Sequence, residues 1–474
     1  MNLLIKNVQV ADGEKDDVYK ADVLIQGGKI SAVGDLKEHS ASRIIEGMGN
    51  YLTPGFIDVH TEADHSLGLF SESDILRIKE AGITTLAGGQ DGFSLAPQLG
   101  RLENFGGTGR EEGEVNSHWR TLSDFWGVLE KKIRPALNFG TFVGEETARR
   151  FLASGSEDKL SRPELAAFKK LLEKNLAEGA LGVSSRLHAS RRGDYREWLP
   201  LLREAGAVWS LRVPYGQNAF ELLSEATALA DELGVKLAVS HFESLMKEEK
   251  DLQKTIRLIR SNKRVFWSFD ASENGVYPFS YFLPDWLRES KGDPLALLAE
   301  RRNEVRLLKS FSGLDFGKLA IVSAYQHKNL VGKTLEEVAE DLAVLPVEAF
   351  IHLLRSAHLR GSLVYKEAMP ETLKRLLDEP NVFVSSERSG WANGSDRGCL
   401  AYLTAAIKEK NLTLARAIKK LTIQPASFLG FRGRGLVKEG YWADLLLLDK
   451  DNLTLKTSLV NGGRGGRALR RTLN

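Results

Sequence analysis

With 474 residues, the chain is long enough for one large domain and a smaller satellite, and its 42% hydrophobic and 27% charged residues are ordinary for a globular protein. The 65 basic residues nearly cancel the 63 acidic ones, leaving a net charge of +2, so no global field points to nucleic acid or to an acidic surface. Cys399 is the only cysteine, which excludes an intrachain disulfide and a cysteine-rich zinc site.

In chain order, the start Met1-Asn2-Leu3-Leu4-Ile5-Lys6 turns polar at once. It lacks the basic segment and long apolar core of a signal peptide, and nowhere do about eighteen apolar residues run unbroken. A soluble, cytoplasmic protein with no membrane contact is expected. Leu3 to Val10 and the runs 21–26 and 29–33, the last two flanking Gly27-Gly28, predict β-structure with a hairpin. Near the other end, Gly440-Tyr441-Trp442-Ala443-Asp444 leads into the apolar run Leu445 to Leu448, again a strand. Neither end has strands enough for a stable sheet, so residues 1–53 and 435–474 are expected to pair as one small β-sandwich domain. The basic, glycine-rich stretch Arg464 to Arg471 reads as a frayed, solvated tail.

From Thr53 onward the pattern becomes strand, loop, helix, repeated. Ser161-Arg162-Pro163-Glu164 is a capping box, Leu165, Phe168, Leu172 and Leu176 recur at helical spacing, and Gly179 ends the helix before a strand at 180–184. A helix at 220–233 precedes a strand at 236–240, and a helix at 252–259 precedes a strand at 265–269. Eight strands are found, at 55–59, 84–87, 139–143, 181–184, 208–211, 237–240, 265–269 and 382–385. This alternation calls for a parallel α/β architecture, and eight units predict a (β/α)8 TIM-like barrel over residues 54–434. The strand-like run 319–323 falls between the seventh and eighth strands, in a subdomain expected at about 287–375. His60, Asp91, Glu145, Ser185, Arg212, His241, Asp270 and Glu387 stand at or just beyond the strands' C-terminal ends. A barrel gathers its functional groups at that face.

The sharpest motif is Pro54-Gly55-Phe56-Ile57-Asp58-Val59-His60-Thr61-Glu62. His60 and Glu62, one residue apart after an apolar strand, point the same way into the barrel mouth, and both types ligate divalent ions. The Pro-Gly-Phe-Ile-Asp-x-His pattern resembles the first-strand signature of the amidohydrolase superfamily. Gly89-Gln90-Asp91-Gly92-Phe93-Ser94-Leu95-Ala96-Pro97, Gly179-Ala180-Leu181-Gly182-Val183-Ser184, Val239-Ser240-His241 and Lys438-Glu439-Gly440-Tyr441-Trp442-Ala443-Asp444-Leu445 are similar to its N-acyl-D-amino-acid deacylase (D-aminoacylase) branch. The resemblance runs over nearly the whole chain. It implies a metal-activated water attacking an amide carbonyl, with a carboxylate after the eighth strand moving the proton.

The chain departs from that pattern where the resemblance places metal ligands. The first-strand His-x-His is His60-Thr61-Glu62, the second-strand cysteine is Asp91, the third-strand histidine is Glu145, the fifth-strand histidine falls on Arg212, and the eighth-strand Ser-Asp-Gly is Ser386-Glu387-Arg388. Only His60 and His241 are kept. Two readings stay open. In one, His60, Glu62, Asp91 and His241 hold one divalent ion, zinc or manganese, with Glu387 as the catalytic proton shuttle or as a further ligand. In the other, Arg212 takes the ion's place and pairs with Asp91 and Glu62.

Arg186, His188 and Arg212 are candidates for binding substrate, although Arg186, Arg191 and Arg192 also read as a solvated basic loop. His65, His118, His327, His352 and His358 have no motif around them, and serine-hydrolase and phosphate-loop signatures are absent. The expected function is metal-dependent hydrolysis of a C–N bond in an N-acyl amino acid or related small amide. Its rival is a metal-free barrel used for binding or assembly. No nucleic-acid partner is expected, and a homo-oligomer stays open.

Overall fold

The structure, a computed structural model, describes the chain except residues 1, 65–68, 70–71, 98–118, 131–135, 154–159, 214–218, 246–248, 271–273, 289–292, 367–374, 377–378, 386–397, 409–411, 464, 468 and 470–474. Five strands open it: β1 (Asn2–Val10), β2 (Tyr19–Gln26), β3 (Lys29–Gly34), β4 (Arg43–Glu46) and β5 (Tyr51–Pro54). β2 and β3 are an antiparallel hairpin whose turn residues Gly27 and Gly28 have φ of 63° and 86°. Two consecutive positive φ angles suit a tight turn matching the strands' own twist, and glycine adopts them without steric cost.

The chain then enters a parallel series: β6 (Phe56–Asp58), β7 (Ile83–Gly88), β8 (Asn138–Thr141), β9 (Val143–Gly144), β10 (Gly182–Arg186), β11 (Val208–Arg212), β12 (Lys236–Ser240) and β13 (Val265–Asp270). After β13 comes a separate antiparallel sheet of β14 (Asn274–Pro278), β15 (Leu319–Ala324) and β16 (Gly361–Lys366), with its own apolar core around Phe279, Leu307, Ile321, Phe350 and Leu363. Its first strand thus begins well before residue 287. β17 (Val382–Ser385) returns to the parallel series beside β13. β18 (Leu445–Leu448) and β19 (Leu455–Leu459) finish the chain's strands. β18 lies antiparallel to β5, so the two chain ends share one seven-stranded sheet. That sheet rolls onto its own core: the β3 edge bonds to 440–443, the segment leading into β18, through Ile30 N–H to the Tyr441 carbonyl and Ala443 N–H to the Gly28 carbonyl.

The parallel strands form two arcs, β6-β7-β8 and β9-β10-β11-β12-β13-β17. β8 and β9 are one run broken at Phe142, whose N–H turns to the Gly88 carbonyl. Strand order around the sheet therefore follows chain order. Both faces are buried. In β11, Val208 points into an inner cluster with Ile57, Phe142 and Phe383, and Trp209 into an outer one with Trp198 and Tyr195 beneath the helices. A parallel strand covered on both faces needs apolar residues at successive positions, which is how these segments read. The capping box at Ser161 is present, with Glu164 accepting the Ser161 N–H at 2.8 Å ahead of the helix Arg162–Ala177. Helices at Arg192–Ala205, Ala219–Glu232 and Glu249–Ser261 cross between the following strands. No helix of the described residues is long and apolar enough to cross a membrane.

Of the stretch expected as a solvated tail, the described residues 465–467 and 469 are tied down instead. Phe139 donates to the Arg467 carbonyl at 2.9 Å, Leu469 donates to the Phe139 carbonyl at 2.7 Å, and the Arg467 guanidinium lies 4.3 Å from the Trp442 ring centre. The break at Phe142 shifts pairing with β10 to β9, so the first residues of β8 have backbone groups to satisfy, and the tail satisfies them. Beside it, Asp444 binds buried Arg434, accepts from the Asn461 N–H at 2.8 Å and from Asn138 Nδ2 at 3.1 Å. This joins the small sheet, the tail and the bottom of the parallel sheet. Asp444→Ala would leave Arg434, only 3% exposed, without its counter-charge. A loss of about 3–5 kcal/mol in a denaturant unfolding experiment is expected, against near-neutrality if the pair were ornamental.

Candidate metal centre

β6 ends at Asp58, whose Oδ1 accepts the His60 N–H at 3.1 Å and so turns the chain at the strand's end. His60 is 2% exposed. Asp91 comes from the loop after β7, and its φ of 56° is one that a non-glycine side chain rarely adopts. The loop is tied on every side. Gln90 Nε2 donates to the Val59 and Ala87 carbonyls at 3.0 and 3.1 Å, and Ser210 Oγ donates to Gln90 Oε1 at 2.6 Å. Gly89 N–H reaches Asp64 Oδ2 at 2.8 Å, Gly92 N–H reaches Ser184 Oγ at 3.0 Å, and Arg186 Nε reaches the Asp91 carbonyl at 3.2 Å. His241, just past β12, is also left-handed at φ 57°. Such angles cost about 1–3 kcal/mol each and persist where the surroundings over-determine them, typically at functional sites.

These loops bring one ligand atom each from His60, Glu62, Asp91 and His241 within 4.8 Å of one another. Asp91 is the hub. Its Oδ1 lies 3.3 Å from His60 Nε2 and its Oδ2 3.4 Å from His241 Nε2. The two imidazoles stand edge to face, 5.5 Å between centres. Arg212, the last residue of β11, binds Asp91 Oδ2 through Nη1 and lies 3.9 Å from Glu62 Oε1. Burial alone would raise the Asp91 pKa. The Arg212 guanidinium and the two histidines outweigh it and hold the carboxyl well below the usual carboxylate range, so Asp91 is an anion. Two imidazoles and two carboxylates are donors that suit a divalent ion; donors around one ion at bonds of about 2.1 Å lie roughly 3–4 Å apart, so the cluster, whose atoms lie within 4.8 Å, draws in slightly to bind one. The residues fit. Five strand-to-strand steps separate β6 from β12, about 24 Å in a flat sheet. That His60 and His241 meet shows how far the sheet curls.

Other expected residues separate into two groups. Glu387, His65 and His118 lie outside the described residues. His188 is held by Ser190 Oγ at 2.7 Å and lines a cavity of about 220 Å³ between the helices Arg192–Ala205 and Ala219–Glu232, and it is not part of the four-residue cluster. Arg192 pairs with Glu225 on the surface, as a solvated basic loop would have it. Arg191 does not fit that expectation. It is 5% exposed and forks onto Glu146, and beside it Arg149 binds Glu145 Oε1 at 2.6 Å and Asp194 Oδ2 at 2.8 Å. A Cβ on Gly92 (φ 82°) would come within 2.4 Å of Glu146 Cγ, so this buried ionic layer packs directly under the Asp91 loop. The paired acids Glu145-Glu146 were its one sequence signal.

The comparisons with known proteins fit this arrangement. Residues 380–465 match a model of the amidohydrolase family. D-aminoacylase of Alcaligenes xylosoxydans xylosoxydans is 25% identical over 467 residues, covering 94% of this chain and 88% of that one. Over nearly its whole length this chain is thus similar to amidohydrolases of the D-aminoacylase-like branch. In fold it is similar to the N-acyl-D-glutamate deacylase of Bordetella bronchiseptica, solved with zinc and a phosphonate inhibitor (TM-score 0.75, 19% identity, 99% of both chains). It is also similar to a D-aminoacylase with a binuclear metal centre, described by one-metal activation and second-metal attenuation (TM-score 0.73, 23% identity, 99% of both chains). A C–N hydrolase is therefore favoured over a metal-free binding barrel.

Glu145 yields a pH-dependent expectation. Burial, only partly countered by Arg149 and Arg191 and reinforced by Glu146, raises its pKa above 4.5, whereas Arg149, with Asp194 as a second acid, keeps its charge. The folded chain then holds a proton at Glu145 that the unfolded chain has lost, so stability falls as pH rises from about 4.5 through the raised value. Unfolding free energies of wild type and Glu145→Gln, measured across that range, should diverge as pH rises, with the wild type losing ground. Parallel curves would assign Glu145 an ordinary pKa.

Proposed function

We propose that this chain hydrolyses the amide C–N bond of an N-acyl-D-amino acid or a related small amide, using one divalent ion held by His60, Glu62, Asp91 and His241. The observation that carries this is the convergence of those four side chains from the ends of β6, β7 and β12, two of them in left-handed backbone. A bound dication supplies Lewis acidity there, lowering the pKa of water and polarising a carbonyl. Asp91 and Glu62 give the anionic charge that retains it, and buried His60 and His241 give neutral nitrogen donors with little freedom to move. Two oxygen donors among four tilt the centre from zinc towards manganese without excluding zinc.

The chain's own groups do the rest. Glu387, directly after the last parallel strand, is assigned to carry a proton to the leaving nitrogen. Arg186 and Arg212, at the ends of the neighbouring strands β10 and β11, give the mouth a cationic side suited to a substrate carboxylate. In this reading the two arcs of strands close as a (β/α)8 barrel over residues 54–434, with the ends 1–53 and 435–474 as the small domain. The likeness in fold to solved N-acyl-D-amino-acid deacylases over 99% of both chains supports a shared overall architecture.

Elemental analysis of protein purified without chelators, paired with hydrolysis assays on N-acyl-D- and N-acyl-L-amino acids, tests the proposal. Wild type should hold a divalent metal and lose turnover on chelation, and His241→Ala should lose both metal and at least about 100-fold in rate. Wild type without stoichiometric metal even after reconstitution ends the hydrolase reading. Glu387→Gln should keep its metal but lose about 10²–10⁴-fold in kcat; an unchanged kcat would move the proton shuttle elsewhere.

A further inference from the structure

We infer that Arg212 is a built-in cation standing where a second metal ion would go, so that this centre holds a single ion. The inference rests on the metal-dependent reading above and deepens it. Asp91 faces the imidazole nitrogens at 3.3 and 3.4 Å, while Arg212 Nη1 binds its Oδ2 and lies 3.9 Å from Glu62 Oε1. The imidazoles thus define a place for one ion beside Asp91, and the guanidinium spans the same two carboxylates from the β11 side.

Three properties of arginine make this exclusive. It has five N–H donors and no lone pair, so it cannot ligate a metal, and β11 contributes no metal donor at its end. It stays charged at any working pH, so its cation cannot be titrated away. Its backbone is fixed, because Arg212 pairs in register with Arg186 of β10 on one side and with Ser240 of β12, the residue before His241, on the other. Its head is held at Asp91 by the bond from Nη1 to Oδ2. The charges point the same way. Asp91 and Glu62 with Arg212 sum to one negative charge, which a single dication takes to +1 and a second would take to +3. The similar D-aminoacylase is described with a binuclear centre in which a second metal attenuates the enzyme. Here the guanidinium takes up the carboxylate oxygens that a second ion beside the first would need.

The test loads wild type, Arg212→His and Arg212→Lys with manganese alone, counts metal per chain by elemental analysis, and records electron paramagnetic resonance. Thermal melts check that each variant folds. Wild type should bind one ion with an isolated-ion signal, Arg212→Lys should match it, and Arg212→His, which swaps the cation for a donor, should bind two and show a spin-coupled pair. Two ions in wild type or in Arg212→Lys overturn the inference, as does one ion in a folded Arg212→His. If Arg212→His does not fold, the wild-type count decides alone. No ion in wild type is a different result, since it removes the hydrolase reading itself.

Discussion

The Asp91 carboxylate is the contact on which the site depends. It is buried, it is anionic, and three groups of the site touch it: His60 at one oxygen, His241 and Arg212 at the other. A buried anion survives only with positive charge beside it. Two unit charges about 4 Å apart interact by roughly 4 kcal/mol at an effective dielectric of 20, so a dication and a guanidinium at that distance would repel by roughly 8. By the same rule a carboxylate at that distance from both cations would attract them by roughly 12, so the acidic pair Asp91 and Glu62 more than offsets the repulsion between a dication and Arg212.

Holding Asp91 in place takes much of the surrounding structure. Its loop contains three residues in left-handed backbone, Gly89, Asp91 and Gly92, and is bonded to Asp64, to Ser184 and Arg186 of β10, and through Gln90 to Ser210 of β11. Beneath it the ionic layer of Glu145, Glu146, Arg149, Arg191 and Asp194 fills the space against Gly92. Such a layer is weak evidence for stability, because desolvating the charges offsets much of what pairing them returns. Its effect here is geometric: it leaves no room for the loop to settle downwards.

The opposite end of the sheet solves a different problem. The break at Phe142 lets the third strand serve two arcs but strips its first residues of a neighbour, and the chain's own C-terminal segment fills the gap. Asp444, Arg434, Asn138 and Asn461 then form one buried polar knot between the small sheet and the parallel one. Asn138 of the parallel sheet meets residues more than 290 positions later in the chain there, away from the cluster built on the strands' other ends.

The repeating strands, helices and caps were legible because each is a local property: apolar runs for strands buried on both faces, Ser161 and Glu164 for a cap, Gly27-Gly28 for a turn. The four ligand-type residues were legible because strand ends in such a fold converge, and a motif fixes which residues stand at them. Three things needed tertiary structure. A basic tail rich in glycine reads as solvated until a strand elsewhere proves to lack a partner. Arg191, in a loop of arginines, reads as exposed until an acid more than forty positions earlier in the chain turns up beside it. And no sequence reading could say whether Arg212 meets Asp91, since that contact joins residues 121 positions apart and depends on how far the sheet curls between them. Local sequence set what each strand end carries; the curvature of the sheet decided which of them touch.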